Sequence, residues 1–468
     1  MPVWSIGDTT PYNSDYLGKM SNIIKIPNQS ENLSPEAILE LFKAKGIDKE
    51  WSFAESKPSD TGKWTHGYHR YPAKFIPQLV ERLVVEYVSG REVHINDPFM
   101  GCGTTVVTAI SKGLFVSGTD INKIAFLITK VKSTPLEPIY LDKKIQLLLS
   151  KLSFLDTASV PLVGVIEPLI PAKHLEKINY WFTATNKTEL GIILQAIHSE
   201  DDKDIRDFFL VAFSHILKNC SIWLQGSTKP TRDLNKPPVK PYALFKRHLN
   251  KMQRGNEVFF NIVPVAIRQS LSTRLNIKNS DAKRQPVEDL SIDLIVTSSP
   301  YVTSYEYADL HQLSTLWLDL FDNLSEYRQK FIGTAHKKYH DRHTQSAIAQ
   351  DIVSQMTLVN RKMASEIDAY FIDMQAVFNE SYRILKNGGR CCYVIGNTKL
   401  KGIEILNAEV FVESLQQAGF LIDRIIKREI PSKILPQTRD DKTGRFASAN
   451  QASRNAYPIE YIVIGLKE

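Results

Sequence analysis

The feature that most constrains the fold is a short apolar strand that leads directly into a glycine-rich turn and a helix. Residues 93–97 have the composition of a buried strand, and Gly101 and Gly103 follow before apolar periodicity resumes. A second strand, over residues 114–118, ends at Asp120. Strand, turn, helix and strand in this order are typical of one βαβ unit of a parallel sheet. The sequence therefore predicts an α/β fold.

The glycine turn lacks the signatures of phosphate binding. A dinucleotide fingerprint needs glycine where Val106 stands, and a P-loop needs a lysine directly before Thr104 and Thr105. Asp120, at the end of the next strand, is placed to accept hydrogen bonds from both hydroxyls of a ribose. The turn alone favours an ordinary strand–helix connection. Together with Asp120, it predicts a site for an adenosine-containing cofactor without a phosphate clamp.

A second strand–turn junction occurs about 200 residues later. An apolar strand at 293–296 runs into Thr297-Ser298-Ser299-Pro300-Tyr301. Pro300 disfavours helical backbone angles at Ser299, which leaves the Ser298 hydroxyl and nearby carbonyls as outward-facing acceptors. Tyr301 adds an aromatic plane beside them. Such a set suits a flat ligand with an exocyclic amine, although a surface turn explains this segment equally well when it is taken alone.

Positive charge is concentrated between the two junctions. The chain of 468 residues has a net charge of +7, whereas residues 211–280 alone carry twelve lysines and arginines against two acids. Four prolines between positions 226 and 242 predict an extended loop there. A basic loop of this kind favours contact with a polyanion, and the alternative is a solvated basic face. The candidate nucleic-acid contacts are Lys229, Arg232, Lys236, Lys240, Lys246 and Arg247.

Composition indicates an intracellular protein. The N-terminus lacks a basic segment followed by an apolar one, and no apolar run approaches the roughly 20 residues that span a bilayer. Four cysteines without paired spacing predict neither a disulfide framework nor a metal site. We therefore expect a cytoplasmic protein that binds no metal and contacts no membrane.

Taken together, the segments resemble the SAM-dependent DNA amino-methyltransferases that modify cytosine N4 or adenine N6. Residues 69–75 look like motif X of that family, residues 97–105 like motif I, and Asp120 like the motif II acid. Ser280-Asp281-Ala282 resembles motif III. Residues 297–301 resemble a TSPPY-type motif IV with serine in place of proline at position 299, and Gly388-Gly389 resembles motif VI. The segments occur in the family's order.

The resemblance implies a Rossmann-like methyltransferase fold with a mixed, mostly parallel sheet, plus helical and loop insertions for target recognition. It implies S-adenosylmethionine (SAM) as cofactor, with Lys74 and Asp97 at its methionine part, Asp120 at the ribose and Asp281 at the adenine. The expected cofactor-binding residues are Tyr71, Lys74, Asp97, Phe99, Gly101, Gly103, Thr104, Thr105, Asp120 and Asp281. Lys74 is equally well explained as a solvated surface lysine.

The predicted domain organisation has four parts. They are an N-terminal arm and helix (1–63), a cofactor-binding half (64–134), a middle insertion and candidate target-recognition region (135–278), and a catalytic half (279–468) with a helical insertion at 310–385.

The resemblance further implies a site-specific DNA methyltransferase of a restriction–modification system that acts on a base flipped out of duplex DNA. A cognate restriction endonuclease would be a second partner. The expected catalytic residues are Ser298, Ser299, Pro300 and Tyr301. Serine at position 298 favours cytosine N4. The alternatives are adenine N6, an RNA base, or a catalytically inactive subunit that binds SAM or DNA.

Overall fold

The centre of the molecule is a seven-stranded sheet. The structure is a computed structural model that describes residues 32–71, 74–90, 92–156, 166–227, 229–302, 307–337, 339, 341–430, 438–439, 454–455 and 459–468. The sheet strands are β1 (His94–Asp97), β2 (Phe115–Thr119), β3 (Leu275–Lys278), β4 (Ile292–Ser298), β5 (Leu385–Ile395), β6 (Leu421–Glu429) and β7 (Ile459–Leu466). Short strands outside this sheet are Thr398–Leu400 paired with Ile403–Ile405, and Thr438–Arg439 paired with Arg454–Asn455.

The strand order is β3-β2-β1-β4-β5-β7-β6. The pairs from β3 to β5 are all parallel, whereas β7 lies antiparallel between β5 and β6. The sheet is therefore mixed and mostly parallel, and the Rossmann-like methyltransferase fold predicted from the sequence is confirmed. In this order the chain changes direction across the sheet between β1 and β4, which is where open α/β sheets bind ligands.

Helices cover both faces of the sheet and form a separate layer. Their bounds are α1 (Pro35–Ala44), α2 (Pro58–Thr61), α3 (Pro77–Tyr87), α4 (Thr104–Ser111), α5 (Lys123–Ser133), α6 (Pro138–Lys151), α7 (Leu175–Trp181), α8 (Ala184–His198), α9 (Lys203–Cys220), α10 (Pro241–Ile262), α11 (Val265–Gln269), α12 (Leu271–Arg274), α13 (Tyr307–Leu310), α14 (Gln312–Trp317), α15 (Leu324–Gln329), α16 (Ala347–Val359), α17 (Arg361–Ile384) and α18 (Asn407–Gln417).

Successive side chains of β5 point to opposite faces of the sheet and belong to two different hydrophobic cores. In β5, Cys391 and Tyr393 pack with α16, α17 and α18, whereas Cys392 and Val394 pack on the opposite face with α3 and α4. This is the two-residue period expected when both faces of a strand are covered. A third core is built mainly by α5 to α10 and α14, so most of its residues come from the region predicted as the middle insertion and the others from before and after it.

The predicted insertion boundary at residue 278 is wrong by one strand. Residues 275–278 form β3, which pairs in parallel with β2 at the edge of the sheet. Its four residues give only two apolar positions, Leu275 and Ile277, and this alternation is too short to be recognised in the sequence. Residues 1–31 of the predicted arm, together with Pro72 and Ala73 of the segment resembling motif X, lie outside the described residues. Among the helices that are described, none combines the length and apolar character needed to cross a membrane.

Candidate active site

The two strand–turn junctions meet in one cleft. Its volume is about 820 Å³ including the open mouth, and it lies where β1, β2 and β4 end. Gly101 of the first junction and Ser298 of the second both line it. The wall residues are Tyr71, Lys74, Phe75, Pro98, Phe99, Met100, Gly101, Cys102, Thr104, Asp120, Ile121, Asp281, Ala282, Ser298, Ser299, Pro300, Lys330, Phe331 and Ile332.

The glycine turn is held open by contacts that only glycine permits. Gly101 and Gly103 have φ angles of 48° and 79°, in the left-handed region. A Cβ atom on Gly103 would lie 2.8 Å from Cγ2 of Thr129. The Thr129 hydroxyl donates to the Gly101 carbonyl at 2.9 Å, and the buried ammonium of Lys132 donates to the Cys102 carbonyl at 2.6 Å. The backbone of the turn is therefore fixed before any ligand arrives.

Asp120 connects the turn to the end of β2. One carboxylate oxygen accepts from the Gly101 amide at 2.9 Å, and the other accepts from the Asn122 amide at 2.8 Å. Burial raises the pKa of this carboxyl to about 6, and the two amide hydrogen bonds oppose that shift. Because each carboxylate oxygen has further acceptor capacity, Asp120 retains the ability to bind hydroxyl groups in the cleft.

Asp97 lies just behind the wall and joins the two junctions. The Thr297 hydroxyl donates to its Oδ1 at 2.6 Å, and the Phe99 amide donates to the same oxygen at 3.1 Å. Its Oδ2 is buried and accepts no hydrogen bond from the described part of the chain. Burial raises the pKa of Asp97 to about 7, although these hydrogen bonds lower it. An unsatisfied carboxylate oxygen beside a cleft is suited to a cationic ligand group.

The serine corner, residues 298–301, presents hydroxyls to the cleft. Ser298 is half-buried at the end of β4, and Ser299 is 2% exposed. The Pro300 carbonyl accepts from the Tyr370 hydroxyl at 2.9 Å. The position of Tyr301 corrects the expectation that its ring forms a face of the cleft. Its ring is buried in the core beside the cleft, and its hydroxyl donates to Glu460 at 3.1 Å.

Comparison with known proteins identifies the family of this chain. A family model described as a DNA methylase, of the N6/N4 methyltransferase type, matches residues 14–130. The type II methyltransferase M.MjaII of Methanocaldococcus jannaschii is 34% identical over 511 residues, covering 91% of this chain and 88% of that protein. This chain belongs to the N4/N6 DNA methyltransferase family. It is accordingly a DNA methyltransferase, and DNA is its substrate.

Two further matches have lower sequence identity. The type II methyltransferase M.MvaI of Kocuria varians is 26% identical over 398 residues, covering 81% of this chain and 87% of that protein. Among solved structures, a TehB-like SAM-dependent methyltransferase from Corynebacterium glutamicum covers 83% of this chain and 88% of that chain at 7% identity and a TM-score of 0.26. The strand order of the sheet, rather than the structural likeness, establishes the fold.

The cofactor of this DNA methyltransferase is SAM, and the residues of the cleft fit it. SAM carries a carboxylate, an ammonium, a sulfonium, a ribose and an adenine. The cleft wall offers the Lys74 ammonium and the carboxylates of Asp120 and Asp281, and the unsatisfied oxygen of Asp97 is buried next to the wall residue Pro98. Apolar groups such as Ile121 fill the wall between them. Among the described residues of the wall, no cluster of cations suits a polyphosphate.

Most of the predicted cofactor-binding residues lie on the wall of the cleft. Those on the wall are Tyr71, Lys74, Phe99, Gly101, Thr104, Asp120 and Asp281, whereas Asp97 and Gly103 lie directly behind it. Thr105 corrects the expectation that it binds the cofactor, because its side chain is fully buried and its hydroxyl donates to the Val296 carbonyl at 3.0 Å. Its side chain therefore connects α4 to β4 and is not available to a ligand.

Part of the wall comes from a segment that the sequence did not single out. Lys330, Phe331 and Ile332 follow α15 and face the cleft. The segment is anchored at α15, where the Tyr327 hydroxyl donates to Oδ1 of Asn122 at 2.9 Å. Asn122 is two residues from Asp120, so this contact connects the segment to the predicted ribose site.

A second anchor holds the same segment from the other side. The buried carboxylate of Asp373 accepts from Lys283 at 3.0 Å, from Lys337 at 2.7 Å and from the Tyr339 hydroxyl at 2.8 Å. Lys283 is two residues from Asp281, which faces the cleft. One carboxylate therefore holds both the 330–339 region and the loop that carries Asp281. No local pattern in the sequence indicates this contact, because it joins α17 to two distant loops.

The structure divides the predicted DNA contacts into two groups. Lys236 corrects the expectation that it contacts DNA. Its ammonium donates to the carbonyls of Lys218 and Trp223 at 2.7 and 2.9 Å and so stabilises the loop. Lys246 forms an exposed ion pair with Asp156 at 3.2 Å. The four other candidates, Lys229, Arg232, Lys240 and Arg247, are exposed.

Proposed function

We propose that this protein is a site-specific methyltransferase that transfers the methyl group of SAM to the exocyclic N4 of a cytosine flipped out of duplex DNA, as the modifying enzyme of a restriction–modification system. The observation that carries the proposal is the shared cleft of the glycine turn and Ser298. The first provides fixed groups for an adenosine-containing cofactor. The second provides hydroxyl and carbonyl acceptors for an amine.

On the cofactor side of the cleft, each polar side chain is assigned to one group of SAM. Lys74 pairs with the carboxylate of SAM, Asp97 with its ammonium, Asp120 with the ribose hydroxyls and Asp281 with the adenine amine. Tyr71 and Phe99 contribute apolar contact, and the turn from Gly101 through Gly103 to Thr104 lets the backbone approach closely. When bound, SAM supplies an activated methyl group on a sulfonium, so the transfer requires positioning and no metal.

The serine corner activates the acceptor amine. The lone pair of an exocyclic amine is delocalised into the ring, which makes the nitrogen a poor nucleophile. Hydrogen bonds accepted from its two N–H groups favour a more tetrahedral nitrogen and stabilise the positive charge that develops. Ser298 Oγ is one acceptor, and a carbonyl of Ser298 or Ser299 is the other. The carbonyl of Pro300 already accepts from Tyr370, which leaves the two serine carbonyls for the amine.

The target base must leave the DNA helix to reach these groups. The amine of a stacked, paired base is hidden, so enzymes of this kind rotate the nucleotide into their active site. Tyr301 supports the corner from behind, since its ring is buried. Phe331 is one of four aromatic residues on the wall, and we assign to it the contact with the flipped base.

A basic hairpin contributes the DNA-binding surface. Residues 222–227 and 229–234 form two antiparallel arms, joined by hydrogen bonds from Leu224 to the Thr231 carbonyl and from Asp233 to the Ile222 carbonyl. At its base, Arg70 donates to Asn219 at 3.1 Å, and Arg70 directly precedes Tyr71 of the cleft wall. This contact connects the helix that precedes the hairpin to the residue before the cleft wall, and we assign phosphate contacts to the exposed cations of the hairpin, Lys229 and Arg232.

The choice of base is tested by the product. The protein is expressed in a host without DNA methylation, its DNA is digested to nucleosides, and these are separated by mass spectrometry. N4-methylcytosine in DNA from the wild type, and its absence with Ser298→Ala, is the expected result. N6-methyladenine would contradict the cytosine assignment, and bound DNA without any methylated nucleoside would indicate an inactive subunit.

A further inference from the structure

The hydroxyl of Ser299 is buried in the cleft wall without a partner. Ser299 is 2% exposed and lines the cleft, and its Oγ makes no hydrogen bond with any described residue. The polar groups on either side are satisfied, since Thr297 donates to Asp97 and Pro300 accepts from Tyr370. A buried hydroxyl without a partner destabilises a protein, so an unsatisfied one on a residue of the cleft wall is suited to a ligand group that completes it.

Serine at position 299 gives this chain a hydroxyl that the motif it resembles does not have. The TSPPY-type motif that the corner resembles has proline at this position, and proline offers neither a hydroxyl nor an amide hydrogen. The change therefore adds a hydrogen-bonding group to the cleft and leaves the carbonyl of residue 299 in place. A serine hydroxyl can donate as well as accept, whereas the carboxylates of Asp97, Asp120 and Asp281 can only accept when ionised.

The target amine has a neighbour that requires a donor. In cytosine the ring nitrogen N3 lies next to the N4 amine, and in adenine N1 lies next to the N6 amine. Both nitrogens are acceptors. If Ser298 and a serine carbonyl take the two amine hydrogens, the adjacent ring nitrogen needs a donor from the same corner. Ser299 is the next residue along the chain.

We propose that the Ser299 hydroxyl donates a hydrogen bond to the ring nitrogen beside the target amine, and so determines which base edge the cleft accepts. The inference rests on the proposed function only in that the ligand is a base with an exocyclic amine. Guanine and thymine carry a hydrogen on the corresponding ring nitrogen and an oxygen in place of the amine, so the hydroxyl would have to accept instead of donate while a serine carbonyl faced another oxygen. The group thus adds selectivity for an amine next to a ring acceptor.

The decisive probe is a base that lacks only the ring acceptor. Duplexes are prepared with the modified site, as located by sequencing of methylated DNA, and with a mismatch at the target pair that eases base flipping. The target is cytosine in one duplex and 3-deazacytosine in the other. Dissociation constants are measured for the full-length wild type, Ser299→Ala and Ser299→Pro in the presence of S-adenosylhomocysteine.

The wild type is expected to bind the deaza duplex roughly tenfold more weakly, because one buried hydrogen bond is lost. Both variants should bind the two duplexes equally. The affinity of all three proteins for S-adenosylhomocysteine alone should agree within about twofold, as the proposed partner is the base. A deaza penalty that persists in both variants would overturn the proposal. A fall in S-adenosylhomocysteine affinity would overturn it as well, since Ser299 would then contact the cofactor.

The comparison of the two duplexes across the three proteins also tests this proposal independently of which base is methylated. If the methylated product is N6-methyladenine, the cytosine assignment fails and the same comparison is made with 1-deazaadenine. If the protein methylates nothing, the duplexes carry the site located by selection of the DNA that the protein binds, and the binding measurements still report whether Ser299 senses the ring nitrogen. Lys330 is an exposed donor on the same wall. In a Lys330→Met protein the deaza penalty should remain, and its disappearance would assign the contact to Lys330 instead.

Discussion

The glycine turn and the serine corner differ in how much of their hydrogen bonding is already complete. At the glycine turn, the Gly101 amide and carbonyl and the Cys102 carbonyl all have side-chain partners. At the serine corner, the Ser299 hydroxyl has none among the described residues. The turn is therefore a preorganised receptor, whereas the corner is completed by its ligand. Substitutions at the turn should act on stability and cofactor affinity, and substitutions at the corner should act on the chemical step.

The largest effect is expected for Ser298→Ala. Removing an acceptor that stabilises the transition state should lower the single-turnover rate roughly 100-fold. The affinity for S-adenosylhomocysteine should change less than about twofold, because Ser298 is assigned to the base. Rapid-quench kinetics and calorimetry measure the two quantities. An equal fall in both would mean that Ser298 supports the fold of the cleft instead.

Gly103→Ala should destabilise the fold, and Gly388→Ala provides the matched control. Both glycines have φ near 80°, but a Cβ at 103 would meet Thr129 at 2.8 Å, whereas nothing lies within 4 Å at 388. Backbone strain alone should cost about 1 kcal/mol in each, and the close approach should bring the cost at 103 to about 3 kcal/mol. Urea unfolding measures the difference. Equal losses would show that the turn is not tightly packed.

The pH dependence of cofactor binding should follow Asp97. Its pKa is raised to about 7, so the carboxyl is protonated below neutral pH and ionised above it. If the ionised form pairs with the SAM ammonium, affinity for S-adenosylhomocysteine should rise as the pH increases from 6 to 8, by up to roughly tenfold. Asp97→Asn should give a weaker and flatter profile. A wild-type profile as flat as that of the variant would remove Asp97 from the cofactor site.

The same shift has the opposite consequence for stability. The folded protein holds the proton of Asp97 more tightly than the unfolded chain, whose pKa is near 3.8. The free energy of unfolding should therefore fall as the pH rises from about 4 to 7, and Asp97→Asn should remove that part of the slope. Urea unfolding of wild type and variant across this range measures it. A variant that retains the full slope would assign it to another group.

A smaller effect is expected at the anchor of the 330–332 wall. Tyr327→Phe removes only the hydroxyl that donates to Asn122, so it should weaken S-adenosylhomocysteine binding by roughly fivefold and leave the rate at saturating cofactor unchanged. Tyr140→Phe, which removes an exposed hydroxyl hydrogen bond to Asp202, is the control. If the two substitutions behave alike, the segment does not depend on this contact.

The smallest expected effect separates two lysines of the hairpin. Lys229→Ala should weaken binding to any duplex without loss of stability. The salt dependence of the DNA-binding constant should fall by the equivalent of about one phosphate contact. Lys236→Ala should instead lower the unfolding temperature, because it leaves two carbonyls unsatisfied. Lys112, exposed at the end of α4 opposite the cleft, is the control for charge. A Lys112→Ala protein that matches Lys229→Ala would show that only net charge matters.

The sequence predicted the parts of the site that are local in the chain. Strand, glycine turn and Asp120 form one continuous unit, and the corner follows its own strand, so both were recognisable from pattern. Topology then explains why they meet, since parallel strands end at the same edge of the sheet. The fold class followed from the same units, with β3 and its boundary as the exception.

What the sequence could not supply depends on packing between distant elements. Phe331 reaches the cleft because Tyr327 and Asp373 hold its segment from two sides. Tyr301 was expected in the cleft on residue type alone, whereas the structure buries it against Glu460. Lys236 looks like any other lysine in a basic loop until its two carbonyl partners are seen.

The central claim is that one cleft brings the cofactor and the target base together, with the base at the serine corner. The most direct measurement is photocrosslinking of a duplex that carries 5-iodocytosine at the target position, with S-adenosylhomocysteine bound, followed by peptide mapping. The account predicts crosslinks to the peptides that contain residues 298–302 or 330–332. Crosslinks confined to the 135–274 region, with none in these peptides, would contradict it.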